Sequence, residues 1–151
     1  MWHIVLLAVT LGSFTGAGLF ILDQSRATSY MSDNPDTCVN CHIMRDQHDA
    51  WQHSTHHAAA TCNDCHVPQD FIGKYATKAV HGYRHSKGFT LQDFHEPIII
   101  KGDSLKVVEA NCLRCHADIT SDINVHGLAS RPGDDSMSCT HCHISVGHAG
   151  R

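Results

Sequence analysis

The sequence has few of the features from which an ordinary soluble domain builds its interior. Only 42% of its 151 residues are hydrophobic, 7% are aromatic, and the most concentrated apolar run lies at the N-terminus. Residues 23–151 instead hold all eight cysteines and fourteen of the fifteen histidines. Such a segment would bury too little apolar surface to offset the chain entropy that is lost on folding. A large apolar cofactor would supply the missing core.

Basic residues are also sparse, and they are scattered along the chain. Eleven Lys and Arg stand against fifteen Asp and Glu, which gives a formal charge of −4 with histidine neutral. A nucleic-acid-binding domain would be expected to show a clustered basic patch. No nucleic-acid partner is therefore expected.

No charged residue occurs between Ile4 and Leu22, a run of nineteen residues. That length is close to the roughly 20 residues that cross about 30 Å of hydrocarbon as a helix. A cleaved signal peptide is the main alternative, but its apolar core is typically about 7 to 15 residues long, and no A-x-A-like site follows Leu22. We therefore predict a membrane anchor helix at residues 1–22 and a second domain at residues 23–151.

No cysteine is left outside four Cys-x-x-Cys-His motifs. Two thiols three positions apart can reach both vinyl groups on one porphyrin edge, and the adjacent histidine then projects toward the iron. Zinc sites, thiol redox pairs and disulfide frameworks also use Cys-x-x-Cys pairs, but none of them explains a histidine after every pair. The sequence thus predicts four covalently attached c-type haems. Their attachment residues are Cys38, Cys41 and His42; Cys62, Cys65 and His66; Cys112, Cys115 and His116; and Cys139, Cys142 and His143.

The motifs form two pairs, at residues 38–66 and 112–143, separated by a segment without cysteine. This arrangement suggests a duplicated two-haem unit in which neighbouring porphyrins lie close enough for electron tunnelling. The resemblance of the motifs to those of c-type cytochromes implies haem attachment on the outer side of the bacterial inner membrane. We therefore expect a single-pass protein of that membrane with its haem domain in the periplasm.

Eleven histidines outside the motifs could supply second iron ligands. His148 lies five residues after His143 and is free to fold back onto a different haem, so it is favoured. One imidazole between Trp51 and His57 is also expected to ligate iron, with His57 and His56 as alternatives. Met44 offers a thioether that could replace His42, or it could pack in the core.

These features together resemble the NapC/NirT family of membrane-anchored multihaem quinol dehydrogenases, and within it the small tetrahaem subunits of ammonia-forming cytochrome c nitrite reductases. The resemblance rests on the single N-terminal anchor, the Cys-x-x-Cys-His-x-Met form of the first motif, and the Trp51-Gln52-His53-Ser54 stretch before the second. It continues through Lys74-Tyr75, Lys78-Ala79, Gly82, His85-Ser86, Phe89-Thr90-Leu91, Glu109-Ala110-Asn111-Cys112 and the interval from His143 to His148.

The resemblance implies that menaquinol is oxidised beside the haem nearest the membrane, whose iron is ligated by Met44. It also implies a quinol site lined by Lys78 and by the residue seven positions later, here His85 in place of an acid. His85 could accept a quinol proton or bind iron. Lys74, Lys78, His81 and His85 follow helical spacing along one face, which agrees with such a site but also with a solvated basic stripe.

The expected partner is a pentahaem cytochrome c nitrite reductase catalytic subunit, in a hetero-oligomer. The family implies that one haem, expected to be that of His116, takes a lysine from this partner, although His126 and the connection at residues 117–137 offer an internal ligand. The second and fourth haems would be completed by His148 and by His57 or His56. Alternative functions are a hub that feeds other periplasmic reductases and a small terminal multihaem reductase.

The expected fold is mostly α with extensive loops and little or no β structure. It combines a single N-terminal transmembrane helix with a small tetrahaem domain, in which helices form around residues 74–85 and 104–113 and haem ligation takes the place of a sheet-built core.

Overall fold

The structure is a computed structural model that describes residues 1–125 and 138–148. Its α-helices are α1 (Trp2–Gln24), α2 (Arg45–Gln52), α3 (Cys62–His66), α4 (Phe71–Leu91), α5 (Gly102–Cys115), α6 (Ala117–Val125) and α7 (Cys139–Cys142). Short 3-10 helices cover Ala27–Met31, Pro35–Asn40 and His42–Met44. The chain divides into two compact units, one of Met1–Ser32 and one that begins at Asp33.

Helix α1 makes up most of the first unit. It has 23 residues with a mean hydropathy of 2.1, and none of its apolar stretch is buried within the protein. At about 1.5 Å per residue the helix is about 34 Å long, enough to cross the hydrocarbon of a membrane. The Thr10 hydroxyl donates to the Leu6 carbonyl at 2.9 Å, so this polar group needs no water in an apolar surrounding.

The first Cys-x-x-Cys-His motif is shaped by two 3-10 helices rather than by an α-helix. Asn34 begins the Pro35–Asn40 turn, and its side chain accepts a hydrogen bond from the Asp36 backbone N–H at 2.9 Å. Proline suits this first helical position because its φ is fixed and its missing N–H would be unpaired there anyway. Helix α2 packs against the turn, which holds the first motif to the helix that follows it.

Helix α4 is the longest element of the second unit, with 21 residues. Its N-terminus is capped by Asp70, whose carboxylate accepts from the Gly73 N–H at 2.7 Å. A side chain at position 73 would collide with that carboxylate, which explains a glycine inside the first turn. The helix ends where Gln92 adopts a left-handed conformation with φ 55°.

Helix α5 connects the second, third and fourth motifs. Its C-terminal turn is the third motif itself, and it packs against both α3 and α7. Asn111, which is buried, donates from its side-chain amide to the carbonyls of Cys65 at 3.0 Å and Val67 at 2.9 Å. The end of the second motif is thereby fixed to the helix that carries the third.

Glu109 lies on α5 and binds the start of the fourth motif. Its carboxylate accepts from the backbone N–H groups of Cys139 at 2.8 Å and Thr140 at 3.2 Å, and from the Thr140 hydroxyl at 3.0 Å. Burial opposes ionisation of this carboxyl, but the N–H donors at the start of α7 hold the pKa of Glu109 below its ordinary value. The ionised side chain therefore stabilises the N-terminus of α7.

Apolar packing contributes little to the second unit. Val67 is the one buried apolar side chain in the described ranges, at 3% exposure, and the buried polar residues there are His48, Lys78 and Asn111. Because a polar interior without partners is costly, hydrogen bonds and a bound apolar group must carry the stability that a hydrocarbon core would normally give.

The predicted fold class is confirmed. No strand occurs in the described ranges, and the expected helices at residues 74–85 and 104–113 lie within α4 and α5. Helix α1 extends two residues beyond the predicted anchor, to Gln24, and the first unit ends at Ser32. The division at residue 22 and the two-haem halves stay predictions.

Replacing Asn111 by alanine should lower the free energy of unfolding by about 1–3 kcal/mol, because two carbonyls lose a buried donor. Denaturant unfolding of the haem-loaded protein, followed by circular dichroism, measures this change. Lys106→Ala is the matched control, since Lys106 is exposed on the same helix, and it should change the free energy by less than about 0.5 kcal/mol. Equal effects of the two substitutions would refute the role given to Asn111.

Candidate haem centres and quinol site

The four motifs lie on or directly beside short helical segments. The second motif is α3, which begins with a capping box formed by Thr61 and Asp64. The third ends α5, with His116 as the cap residue, and the fourth is α7 followed by His143. In the second, third and fourth motifs each pair of thiols is thus presented on one helical turn, as attachment to a porphyrin edge requires. In the first motif Cys38 lies in the Pro35–Asn40 helix and Cys41 is the extended residue that follows it.

Motifs that are consecutive in sequence are also neighbours in space. The Cys38 and Cys62 thiols share a hydrogen bond, which joins the first motif to the second. Contacts of α5 with α3 and with α7 join the third motif to the second and the fourth. The attachment points therefore form a continuous series from the first motif to the fourth.

His66 and His148 face each other with their rings nearly parallel. Their centroids are 6.0 Å apart and their planes differ by 8°. A metal–imidazole bond is about 2 Å long and the ring centre lies about 1 Å further, so two imidazoles on opposite sides of one iron have centroids about 6 Å apart. Burial, with His148 and His81 nearby, lowers the pKa of His66 to about 4, which favours the neutral form that binds metals.

His56 and His116 form a second pair at the same separation. Their ring centroids are 6.0 Å apart with an interplanar angle of 67°. His57 instead packs edge-on against Trp51 at 4.8 Å and is exposed, whereas His56 is half-buried. Of the two alternatives left by the sequence, the geometry favours His56.

This second pair differs from the sequence-based expectation for the third haem. The family resemblance suggested a partner lysine opposite His116, with His56 or His57 on another haem, but His56 lies opposite His116. Within the described ranges, the structure gives no ring pair for His143 of the fourth motif. His126, the other internal candidate, lies outside the described residues.

Met44 lies where the backbone changes from a 3-10 turn to α2, of which it is the N-cap residue. Residues two apart in a 3-10 turn point about 240° apart, so His42 and Met44 do not face the same side. Met44 is half-buried and His42 is exposed. This arrangement agrees with Met44 taking the place of His42.

Lys78 is the most deeply buried charged residue in the described ranges, at 3% exposure. Its ammonium donates to Asp33 Oδ1 at 2.9 Å, and Lys74, one turn earlier on α4, donates to Asp33 Oδ2. The charge of Lys78 also acts on the side chain of Cys38. Lys78 therefore lies beside the first motif.

The other two residues of the helical face predicted from the sequence, His81 and His85, lie further along α4. His81 and His85 stack with ring centroids 5.8 Å apart, and His81 Nε2 is 3.3 Å from the Ser104 hydroxyl on α5. Burial lowers the pKa of both rings, assisted by His85 for His81 and by Lys101 for His85. Because residues seven positions apart are separated by about 10.5 Å along a helix, Lys78 and His85 could contact opposite ends of one ligand.

Several residues that organise the site were not found from the sequence. Asp33 and Asn63 have no pattern that distinguishes them from other polar residues. They contact each other across 30 positions, and the lysine partners of Asp33 are 41 and 45 positions away. Glu109 and Asn111 occur in a stretch that carried the family resemblance, but their contacts to the second and fourth motifs required the packing of α5.

The described residues fit a covalently bound haem. Three of the four cysteine pairs lie on single helical turns, and two imidazole pairs have the separation that one iron requires. The buried Nδ1 of His148 has no hydrogen-bond partner within the described part of the chain. The polar interior around Val67 also agrees with an apolar prosthetic group. Helix α1 and these motifs define a membrane-anchored cytochrome of the c type.

Comparison with known proteins gives the family. The model of the NapC/NirT cytochrome c family, N-terminal region, matches residues 1–150, and the chain belongs to this family. It is 36% identical to the cytochrome c-type protein NrfH of Wolinella succinogenes over 151 aligned positions, covering 96% of this chain and 83% of the relative. It is 30% identical to the cytochrome c nitrite reductase subunit NrfH of Nitratidesulfovibrio vulgaris, covering 94% and 84% respectively.

The fold resembles a solved structure over nearly its whole length. That structure is the cytochrome c nitrite reductase NrfHA complex bound to the HQNO inhibitor, which matches with a TM-score of 0.65 and 30% identity over 93% of this chain and 90% of the other. The predicted family is confirmed. Membership means that this protein carries covalently bound haem, and α1 anchors it in a membrane.

Replacing His148 by alanine should leave one iron without its second imidazole and convert that haem from low to high spin. Electron paramagnetic resonance of the oxidised protein would detect the change. His141→Ala provides the control, because His141 is exposed within the fourth motif and should leave the spectrum unaltered. A low-spin spectrum that survives loss of His148 would show that His66 has another partner.

Proposed function

We propose that this protein is the quinol-oxidising electron-transfer subunit of a cytochrome c nitrite reductase. In this role it takes electrons from menaquinol in the membrane and delivers them to a pentahaem catalytic subunit, with which it forms a hetero-oligomer. The two NrfH relatives and the NrfHA complex, each matched over more than four fifths of both chains, support this function.

Four c-type haems, one at each motif, would be the cofactors. His66 with His148 and His116 with His56 are the proposed axial pairs of the second and third haems, since each pair has centroids 6.0 Å apart. Met44 is proposed for the first haem. His143 would ligate the fourth haem on one side, and we infer that this haem, rather than the third, takes a ligand from the partner.

The spatial series of motifs supports a path for electrons from the first motif to the fourth. When bound, the haems accept and release single electrons, and their close spacing permits tunnelling between them. The Cys38–Cys62 contact places the first and second attachment points together, and α5 holds the next two beside them. Electrons would enter at the first motif and leave at the fourth.

The observation that carries the quinol-oxidising role is a buried lysine next to the first motif. Oxidation of a hydroquinone releases two protons together with two electrons, so the site needs a donor for the quinol oxygen and an acceptor for protons. Lys78, at 3% exposure, can donate to the oxygen without competition from water. His85, whose pKa is lowered by burial and by Lys101, can accept a proton at neutral pH.

The solved NrfHA complex bound to the HQNO inhibitor supports a quinol site in this fold, because the matched chain shares the fold over 93% of this chain and 90% of its own length. We place the protein in the bacterial inner membrane as a single-pass chain. The haem domain would lie on the periplasmic side, where covalent haem attachment takes place.

Lys78→Ala should lower kcat/KM for menaquinol oxidation by about 10- to 100-fold, which corresponds to the loss of one charged hydrogen bond of about 1.5–3 kcal/mol. Haem reduction by a menaquinol analogue, followed by stopped-flow absorbance, measures this rate. The absorption spectrum of the dithionite-reduced protein should stay unchanged, which would show that the haems are intact.

Lys87→Ala is the matched control for this substitution. Lys87 lies on the same helix, but its side chain is 49% exposed and pairs with Asp93 at 3.7 Å. Its removal should leave quinol oxidation unaffected. Unchanged quinol kinetics in Lys78→Ala would remove Lys78 from the site.

A further inference from the structure

Asp33 is bound by three side chains from two other parts of the chain. Its Oδ1 accepts from Lys78 Nζ at 2.9 Å and from Asn63 Nδ2 at 2.9 Å, and its Oδ2 accepts from Lys74. Lys74 and Lys78 belong to α4, Asn63 lies inside the second motif, and Asp33 itself precedes Cys38 of the first motif by five residues. One carboxylate thus links α4 to the segments that carry two neighbouring motifs.

The two lysines differ strongly in exposure. The Lys78 side chain is 3% exposed, whereas those of Lys74 and Asp33 are 21% and 51% exposed. A buried ammonium is stable only when an opposite charge and good hydrogen-bond geometry accompany it. Asp33 supplies the opposite charge for this buried ammonium.

Asn63 fixes the direction of the carboxylate. It donates to the same oxygen that accepts from Lys78, while Lys74 occupies the other oxygen. With both oxygens engaged, rotation of the carboxylate would break at least one of these bonds. The Lys78 ammonium is therefore held at a defined place relative to the second motif.

We propose that Asp33 is a positioning residue for quinol oxidation, which holds the Lys78 ammonium in the direction where it meets the quinol oxygen. This inference rests on the proposed function, since it assigns a task to Asp33 through the quinol-binding lysine. It adds a residue outside α4 to the site and couples the site to the second motif through Asn63.

A role for Asp33 as the proton acceptor is less consistent with its surroundings. Hydrogen bonds from Lys74 and Lys78 lower the pKa of Asp33 to about 2. A carboxylate that is so weakly basic is a poor acceptor near neutral pH, and its lone pairs already face three donors. Fixing the position of Lys78 is the task that its contacts support.

A double-mutant cycle between Asp33 and Lys78 tests the proposal. Asp33→Asn should lower kcat for menaquinol oxidation about tenfold in the otherwise wild-type protein, because the neutral amide no longer holds the ammonium in place. In the Lys78→Ala background the same substitution should cause no further loss. Reduction of the haems by dithionite and electron delivery from dithionite to the catalytic subunit should be unaffected. Asp93→Asn is the control, since Asp93 pairs with the exposed Lys87.

Asp33→Glu distinguishes positioning of the Lys78 ammonium from compensation of its charge. This variant also keeps the proposal testable if Asp33→Asn fails to assemble. Glutamate retains the negative charge but moves the carboxylate outward by about 1.5 Å, the length of one carbon–carbon bond. If Asp33 positions Lys78, Asp33→Glu should have a reduced kcat with intact haem spectra. If Asp33 only compensates the charge of Lys78, the variant should turn over at the wild-type rate.

Three results would overturn the inference. They are wild-type turnover in Asp33→Glu, wild-type turnover in Asp33→Asn, and an equal loss from Asp33→Asn with and without Lys78. If Lys78→Ala itself has no effect, the quinol site of the proposed function is wrong, which is a distinct outcome.

Discussion

The scarcity of buried apolar side chains is the constraint on which the rest of this structure depends. A domain whose described residues bury only Val67 among apolar side chains cannot be stable through hydrocarbon packing alone. Covalently attached haem provides apolar volume and constrains the chain where it is attached. The protein therefore needs helices long enough to present a thiol pair and polar contacts that fix the motifs relative to one another, and both are present.

The variable residues inside the motifs supply many of these polar contacts. Asn63 of the second motif binds Asp33, Arg114 of the third donates to the Asp64 carbonyl at 3.4 Å, and Thr140 of the fourth binds Glu109. Cysteine and histidine positions are fixed by the chemistry of attachment, so the positions between the cysteines are free to join one motif to the next. The same residues that keep the attachment points close would therefore keep electron transfer fast.

The sequence predicted those structural features that depend on residues close together in the chain. An uncharged run predicted α1, the four motifs predicted the attachment residues, and the helical spacing of Lys and His residues agreed with a helix within α4, because each signal is contained in a short stretch. It could not decide between His56 and His57, since the choice depends on which ring faces His116 across 60 positions. Asp33 was missed for the same reason, as its lysine partners become neighbours only after α4 packs.

In the proposed function, a polar quinol-binding end supplies electrons to a series of motifs arranged for electron transfer. Proteoliposomes that contain this protein, the pentahaem catalytic subunit and reduced menaquinone test this function most directly. We expect nitrite-dependent menaquinol oxidation that requires both proteins and that HQNO inhibits. The contradicting result would be haems that dithionite reduces fully while menaquinol leaves them oxidised.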